Sequence, residues 1–304
     1  MVINMDKIGI PRSLFYYYYG DIWKTFFDSL NIPYIVSPNT SKEIMDRGIR
    51  VSNDEMCLAL KNYLGHVDYL KDKCQYILVP RICNYKVNNQ SCTNFWAAYD
   101  IVNTLFDIDI LNYNVDLEKG ETLKKGLYKI GKKLGKNNME IKKAYRKAIY
   151  EYDLKRKKNA QINLSKLNSK KTKILIVSHP YNTYDSTIGG DIIKYLIKEN
   201  AEVIYSDKFD EKITSKLSEK LSKNLYFKYS KESIGSIIYA KDKIDGIIFI
   251  SSFPCAPDSL VNELVMRKIK KPHLNLIIDN NSTFTGIETR LESFLDVLRG
   301  NIHA

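Results

Sequence analysis

Short apolar runs alternate with amphipathic stretches along the first third of the chain. The runs have the length and branched side chains of buried strands and occupy residues 7–11, 34–37 and 76–80. After the first run, apolar residues recur at the spacing of one helix face, at Trp23, Phe26, Phe27 and Leu30. A further helix is predicted over residues 94–105. This alternation predicts a parallel sheet covered by helices.

Two capping boxes predict where two more helices begin. Thr40 is followed three residues later by Glu43, and Ser52 is followed by Glu55 at the same spacing. In such a box, the Ser or Thr side chain accepts a hydrogen bond from a backbone N–H of the first helical turn. The second box predicts a helix that carries Cys57 at its start.

The C-terminal part repeats the same rhythm. Apolar runs typical of buried strands lie at residues 173–178, 202–206, 246–250 and 274–278. Helices are predicted through Ile192 and Ile197 and over residues 211–222, 231–240 and 286–298. The pattern predicts a second doubly wound α/β domain.

Charge is distributed unevenly along the chain. The formal net charge is +12, but residues 119–171 alone carry 16 Lys and 2 Arg against 4 acidic residues, a net charge of +14. We therefore predict an N-terminal α/β domain over residues 1–115, a basic helical connector over 116–171 and a C-terminal α/β domain over 172–304. The connector is either a solvated helical link or a docking surface for an acidic partner or an anionic substrate. The near-neutral remainder argues against nucleic-acid binding.

The N-terminal residues lack the basic and apolar regions of a signal peptide, and no apolar run approaches the roughly 20 residues of a membrane span. We expect a cytoplasmic protein that does not bind membranes.

Five cysteines, an odd number, argue against a disulfide framework in such a protein. Cys57, Cys83, Cys92 and Cys255 lie in loops or helix starts that map to the carboxyl edge of the predicted sheets, where sites form in doubly wound folds. Cys74 precedes a strand and is assigned to the opposite edge as a packing residue, roughly 15 Å away or more.

Thiolates at one sheet edge suit either zinc or an iron–sulfur cluster, and the absence of a CxxC motif leaves both open. His179 follows the strand at 173–178, at the same edge. It is either a loop residue bonded to the backbone or an outer hydrogen-bond donor beside the cofactor. His66 is interpreted as structural.

Stretches from both halves resemble one protein family. They read IGIPRSLFYYYYGDIWKTFFDSLNIPYIVSPNTSKEIMDRG, NDEMCLALKNYLGHVDYL, YILVPRI, CTNFW, HPYNTYD, SFPCAPDSLVNELV and IDNNSTFTGIETRLESF. This chain resembles the 2-hydroxyacyl-CoA dehydratase subunit superfamily. The resemblance is closest to its branch of single-chain proteins labelled CoA-substrate-specific enzyme activase-associated, which also includes the double-cubane cluster proteins.

The resemblance implies two Rossmann-like domains with an oxygen-sensitive [4Fe–4S] cluster in the cleft between them, as in anaerobes. It places the ligands at Cys57, Cys92 and Cys255, with Cys83 as a candidate for the remaining iron and His179 in the second shell. It implies electron delivery by a separate ATP-dependent activase, in keeping with the absence of a Walker loop and a GxGxxG motif. Pairing of subunits in the family makes a homodimer a further expectation.

The chain departs from the family pattern at Asn280 and Asn281, where the family carries an acidic residue and a His. It also has too few usable cysteines for a double cluster. The expected function is that of an iron–sulfur redox protein acting on a small substrate, as a reductase or a dehydratase-like enzyme. The alternatives are an electron-transfer or cluster-carrier protein without its own substrate, and a zinc-bound or metal-free structural relative.

Overall fold

The computed structural model describes residues 7–85 and 89–300, which form an α/β fold with parallel sheets. The chain divides into two compact units, Met1–Lys155 and Arg156–Ala304. The division falls inside a single long helix, α6 (Asn138–Lys166).

In its described residues, the first unit contains six strands and five complete α-helices. The strands are β1 (Ile8–Ile10), β2 (Tyr34–Val36), β3 (Tyr76–Leu78), β4 (Arg81–Asn84), β5 (Asp109–Leu111) and β6 (Asn114–Asp116). The helices are α1 (Tyr16–Ser29), α2 (Lys42–Val51), α3 (Leu58–Leu70), α4 (Thr93–Leu105) and α5 (Leu123–Lys133).

The main sheet of this unit is parallel, with the strand order β2-β1-β3-β5. Central strand β1 is completely buried, and its Ile8 pairs with Tyr34 on one side and Tyr76 on the other. Strands β4 and β6 form a separate two-stranded parallel sheet. A hydrogen bond of 2.7 Å from the Asn84 amide to the Asp116 carboxylate, both buried, joins this small sheet.

Up to residue 300, the second unit contains four strands and six α-helices besides the end of α6. The strands are β7 (Lys173–Val177), β8 (Glu202–Tyr205), β9 (Gly246–Ser252) and β10 (His273–Ile278). The helices are α7 (Pro180–Thr183), α8 (Asp191–Lys198), α9 (Glu211–Ser218), α10 (Lys228–Ala240), α11 (Ala256–Lys268) and α12 (Phe284–Arg299). The strands pair in parallel in the order β10-β9-β7-β8.

The two main sheets share one topology. In each, the first strand along the chain pairs with the second on one side and with the third on the other, and the fourth strand extends the sheet beyond the third. The direction of winding therefore reverses between β1 and β3 in the first unit and between β7 and β9 in the second. Such reversal points, at the carboxyl ends of the strands, are where doubly wound folds bind ligands.

The predicted strands and helices are confirmed, but the predicted helix starts are partly wrong. Ser41 caps α2 by accepting from the Ile44 N–H at 3.4 Å, whereas the Thr40 hydroxyl lies 3.0 Å from His66 Nε2. Helix α3 begins at Leu58 rather than near Ser52, which instead ends α2. Contacts distant in sequence account for the first error, because a buried imidazole competes for the Thr40 hydroxyl.

The basic segment is helical, as predicted, but it contributes to a core. Leu127 and Ile130 of α5 and Ile141 of α6 are buried. Gly131 has no side chain, which allows Ile141 to pack against α5. The lysines lie on the remaining faces.

None of the helices within the described ranges combines the length and the hydropathy that a membrane span requires.

Candidate metal centre

Helices α2 and α3 cross in close contact, which fixes the start of α3. A Cβ atom on Gly65 would overlap the carbonyl oxygen of Ile44, and one on Gly48 would overlap the carbonyl oxygen of Lys61. Two glycines therefore let the backbones approach to a distance that no side chain permits. Because α3 leads into the parallel strand β3, it runs against the strands, and its N-terminus lies at the carboxyl edge of the sheet.

Cys57 is the N-cap residue of α3, with extended backbone angles (φ −65°, ψ 150°). Its carbonyl accepts the first hydrogen bonds of the helix, from the N–H groups of Leu60 and Lys61. The Lys61 side chain is 7% exposed and donates to the Asp54 carbonyl at 3.2 Å. A helix N-terminus and a buried ammonium one turn away both favour the thiolate form of a cysteine.

Cys92 is the N-cap residue of α4, with nearly the same angles (φ −60°, ψ 148°). The side-chain amide of Asn94, two residues further on, donates to Cys57 Sγ at 3.4 Å. The helix start that Cys92 caps therefore lies beside Cys57. Two thiols predicted as ligands thus belong to neighbouring helix N-termini in the first unit.

Aromatic contacts hold the start of α4 in place. Phe95 is buried with its ring 4.7 Å from the Phe15 ring, in an edge-to-face arrangement. The Trp96 indole N–H lies 2.8 Å from the Cys83 carbonyl and 3.0 Å from Ser91 Oγ. The first turn of α4 is therefore anchored both to the core and to strand β4.

Cys83, predicted to lie in a loop, lies instead on strand β4 of the small sheet, and its carbonyl takes part in this anchoring. Its thiol is a less suitable ligand, because burial raises its pKa and the nearby Asp116 carboxylate acts in the same direction. Cys74 lies just before β3, at the opposite edge, as predicted. It is 3% exposed and donates to the Leu70 carbonyl at 3.2 Å, and burial raises the pKa of its thiol to about 11.

In the second unit, Cys255 is the N-cap residue of α11. Helix α11 joins the third and fourth strands of its sheet, as α4 does in the first unit. Cys92 and Cys255 therefore cap topologically equivalent helices. Asp258 lies in the first turn of α11.

His179 follows β7 at the reversal point of the second sheet, and its Nε2 lies 2.9 Å from Asp258 Oδ1. The imidazole stacks on the Tyr181 ring at 4.8 Å and meets the Tyr229 ring edge-on at 5.4 Å. These three partners hold the ring in one orientation and link the end of β7 to the first turn of α11. Both His179 and Asp258 line a small pocket between β7, α10 and α11.

Deeper at the same reversal point, the buried Asn182 accepts a hydrogen bond of 2.8 Å from Ser252 Oγ of β9. Its amide nitrogen has no partner within the described part of the chain. Its partner Ser252 lies three positions before Cys255 in the chain. The unsatisfied buried amide N–H of Asn182 is able to donate to an acceptor on a bound group.

His66 belongs to the structural framework, as predicted. It is fully buried on α3, and burial lowers the pKa of its imidazole to about 3, with a smaller effect from the Arg12 charge. Asp279 accepts from the Asn281 N–H at 2.9 Å and from Ser282 Oγ at 2.8 Å. The segment that departs from the expected family pattern is thus a local turn after β10.

The donor chemistry of the three N-cap cysteines fits thiolate ligation of iron or zinc. Among residues 7–85 and 89–300, however, no three His, Cys, Asp or Glu side chains are gathered into a metal-binding group. Sequence reasoning missed Asn94 and the partnership of Asp258 with His179. Asn94 could have been identified by its place in the turn after Cys92, whereas the second pairing joins residues 79 positions apart.

These features define a doubly wound α/β protein with thiols at helix N-termini. Residues 7–209 match the family model described as the CoA enzyme activase uncharacterised domain. The match covers most of the chain, and the protein belongs to this family. Cys57, Cys92 and His179 lie inside the matched region, and Cys255 lies beyond it. A search of curated proteins found no match.

Proposed function

We propose that this protein binds a [4Fe–4S] cluster through Cys57, Cys92 and Cys255 and acts as a redox protein. The observation that carries the proposal is the hydrogen bond of 3.4 Å between Asn94 and Cys57, which sets two cysteine-capped helix starts side by side. Thiolates at helix N-termini are stabilised by the helix dipole before any metal binds.

Cys255 completes the proposed ligand set from the second unit. Its place before the helix between the third and fourth strands repeats that of Cys92. Three thiolates would leave one iron open, and the bound cluster would supply one-electron chemistry and a coordination position for a small substrate.

Each side chain around the cysteines has a specific role in this proposal. Asn94 orients and stabilises the Cys57 thiolate, and Phe95 and Trp96 keep the start of α4 rigid. His179, held by Asp258, is the second-shell residue of the second unit and fixes the helix that Cys255 caps. Burial and the nearby Asp116 carboxylate raise the pKa of the Cys83 thiol, which makes Cys83 a weaker candidate for the remaining iron than the three N-cap cysteines.

An ATP-dependent activase is the proposed electron donor, and the family description names an activase-related domain. The chain offers a surface for such a partner on α5 and the first half of α6. We call this surface the basic face because it carries exposed lysines at Lys124, Lys125, Lys129, Lys132, Lys133, Lys142 and Lys143. A basic face of this kind accelerates association with an acidic partner, an effect that salt weakens.

Anaerobic purification with measurement of iron, sulfide, zinc and the visible spectrum tests the proposal. We expect about four iron and four sulfide per chain and a broad absorption near roughly 400 nm that bleaches with dithionite. Cys57→Ser, Cys92→Ser and Cys255→Ser should each lose the chromophore, whereas Cys74→Ser, the matched control, should retain it. One zinc and no colour would refute the redox function.

Electron paramagnetic resonance of the reduced protein separates an enzyme from a carrier. A signal that changes when small ligands such as cyanide or azide are added would support an open iron and a substrate. A signal unchanged by all of them would favour an electron-transfer or cluster-carrier protein.

A further inference from the structure

We propose that Asn94 sets the reduction potential of the cluster by donating a hydrogen bond to the Cys57 thiolate. This inference rests on the proposed function, and it assigns a role to a side chain that the cysteine pattern does not contain. Asn94 contacts a proposed ligand, so it is a positioning residue.

The geometry places a donor directly at the ligand atom. Asn94 Nδ2 lies 3.4 Å from Cys57 Sγ, a distance suited to the large sulfur atom. Cys57 makes no side-chain capping bond to its own helix. The sulfur accepts the Asn94 bond from α4, a helix that begins 36 residues further along the chain at Thr93.

The donor is preorganised by its neighbours. Phe95 is buried against Phe15, and the Trp96 indole N–H bonds to the Cys83 carbonyl, so the turn that carries Asn94 is fixed on both sides. An amide held in this way needs little rearrangement when charge on the sulfur increases, and its dipole acts in full on that charge.

The direction in which this hydrogen bond changes the reduction potential follows from charge. One-electron reduction by dithionite adds a negative charge to a cluster and its thiolates, and a hydrogen-bond donor to a thiolate stabilises the reduced form more than the oxidised form. Hydrogen bonds to sulfur are among the factors that set cluster potentials. Loss of this bond should therefore lower the potential.

The test compares Asn94→Leu with Asn103→Leu in the full chain. Leucine has nearly the shape of asparagine and donates no hydrogen bond, and Asn103 is exposed further along the same helix. We expect the one-electron reduction equilibrium of Asn94→Leu to shift about tenfold towards the oxidised form, which corresponds to about 59 mV. Asn103→Leu should match the wild type. A potentiometric titration followed by electron paramagnetic resonance measures both.

A second variant guards against a folding failure. Asn94→Ser suits the first helical turn, and its hydroxyl is too short to replace the amide at the sulfur. Both variants should keep wild-type circular dichroism and four iron per chain while the potential falls. A wild-type potential in either folded, iron-loaded variant would overturn the role of Asn94 and leave the cluster proposal intact. A wild-type protein without iron would overturn both.

Discussion

Replacement of Gly65 by Ala should destabilise the first unit and disturb the start of α3. Alanine normally stabilises a helix relative to glycine, by up to about 1 kcal/mol. At Gly65, however, the new methyl group would overlap the Ile44 carbonyl oxygen and lie 2.9 Å from the Gly48 nitrogen. Both obstacles are backbone atoms, so a side-chain rotation cannot relieve them and the two helices must separate.

Overpacking that moves a backbone costs about 1–3 kcal/mol or more, and contact with a helix backbone places Gly65→Ala at the upper end. After the gain in helix propensity, we expect a net loss of about 2 kcal/mol. A loss of that size lowers the melting temperature by roughly 4–8 °C for a unit of this size. The separation of α2 and α3 should also weaken the contact between Cys57 and Asn94.

Thermal and urea unfolding followed by circular dichroism measure the change, with Gly286→Ala as the matched control. A Cβ atom on Gly286, in α12, would meet only Thr283 Oγ1, at 3.8 Å. The control should therefore be as stable as the wild type or slightly more stable. A Gly65→Ala protein that is equally stable would refute the close helix crossing as the device that positions Cys57.

Two further predictions concern buried polar groups. Burial lowers the pKa of His66 to about 3 from an ordinary value near 6.5, so between pH 3 and pH 6.5 the unfolded chain binds more protons than the folded protein. Stability should therefore fall as the pH falls from 6.5 towards 3, by about 2 kcal/mol at pH 5. Urea unfolding of the wild type and His66→Gln at pH 7 and pH 5 measures this, and an equal pH dependence in both proteins would contradict it. Asp258→Asn should weaken the hydrogen bond that orients His179 and lower stability by about 1 kcal/mol. Thermal unfolding should show no such loss for Asp191→Asn, whose ion pair with Lys194 is exposed, and equal losses in the two variants would argue against a special role for Asp258.

The strand and helix pattern was largely predictable because hydrophobic periodicity is a local property. The runs at 7–11, 34–37 and 76–80 became β1, β2 and β3, and the predicted carboxyl edge holds the starts of α3 and α4. Strands β4, β5 and β6 were not predicted, although they are as long as β1, β2 and β3. Their pairing depends on contacts that no local pattern records, such as the one between Asn84 and Asp116.

Helix starts show the same limit. A capping box identifies Thr40 and Ser52 as residues able to cap a helix. In the folded chain, however, the Thr40 hydroxyl bonds to His66 and the Ser52 hydroxyl donates to the Ile49 carbonyl. His66 approaches Thr40 from a helix 26 residues away, and the cap of α2 passes to Ser41. Asp258 likewise bonds to His179 and leaves the N-cap position of α11 to Cys255.

What the amino-acid sequence determined by itself is the parallel α/β architecture and the sheet edge at which Cys57, Cys74, Cys92 and Cys255 lie, since strand direction and loop position follow from the order of apolar runs. Only the tertiary structure decided that three cysteines are N-cap residues, that Asn94 reaches Cys57 and that Asp258 holds His179. These pairings join residues 37 and 79 positions apart, so they form only when the tertiary structure brings distant segments of the chain together.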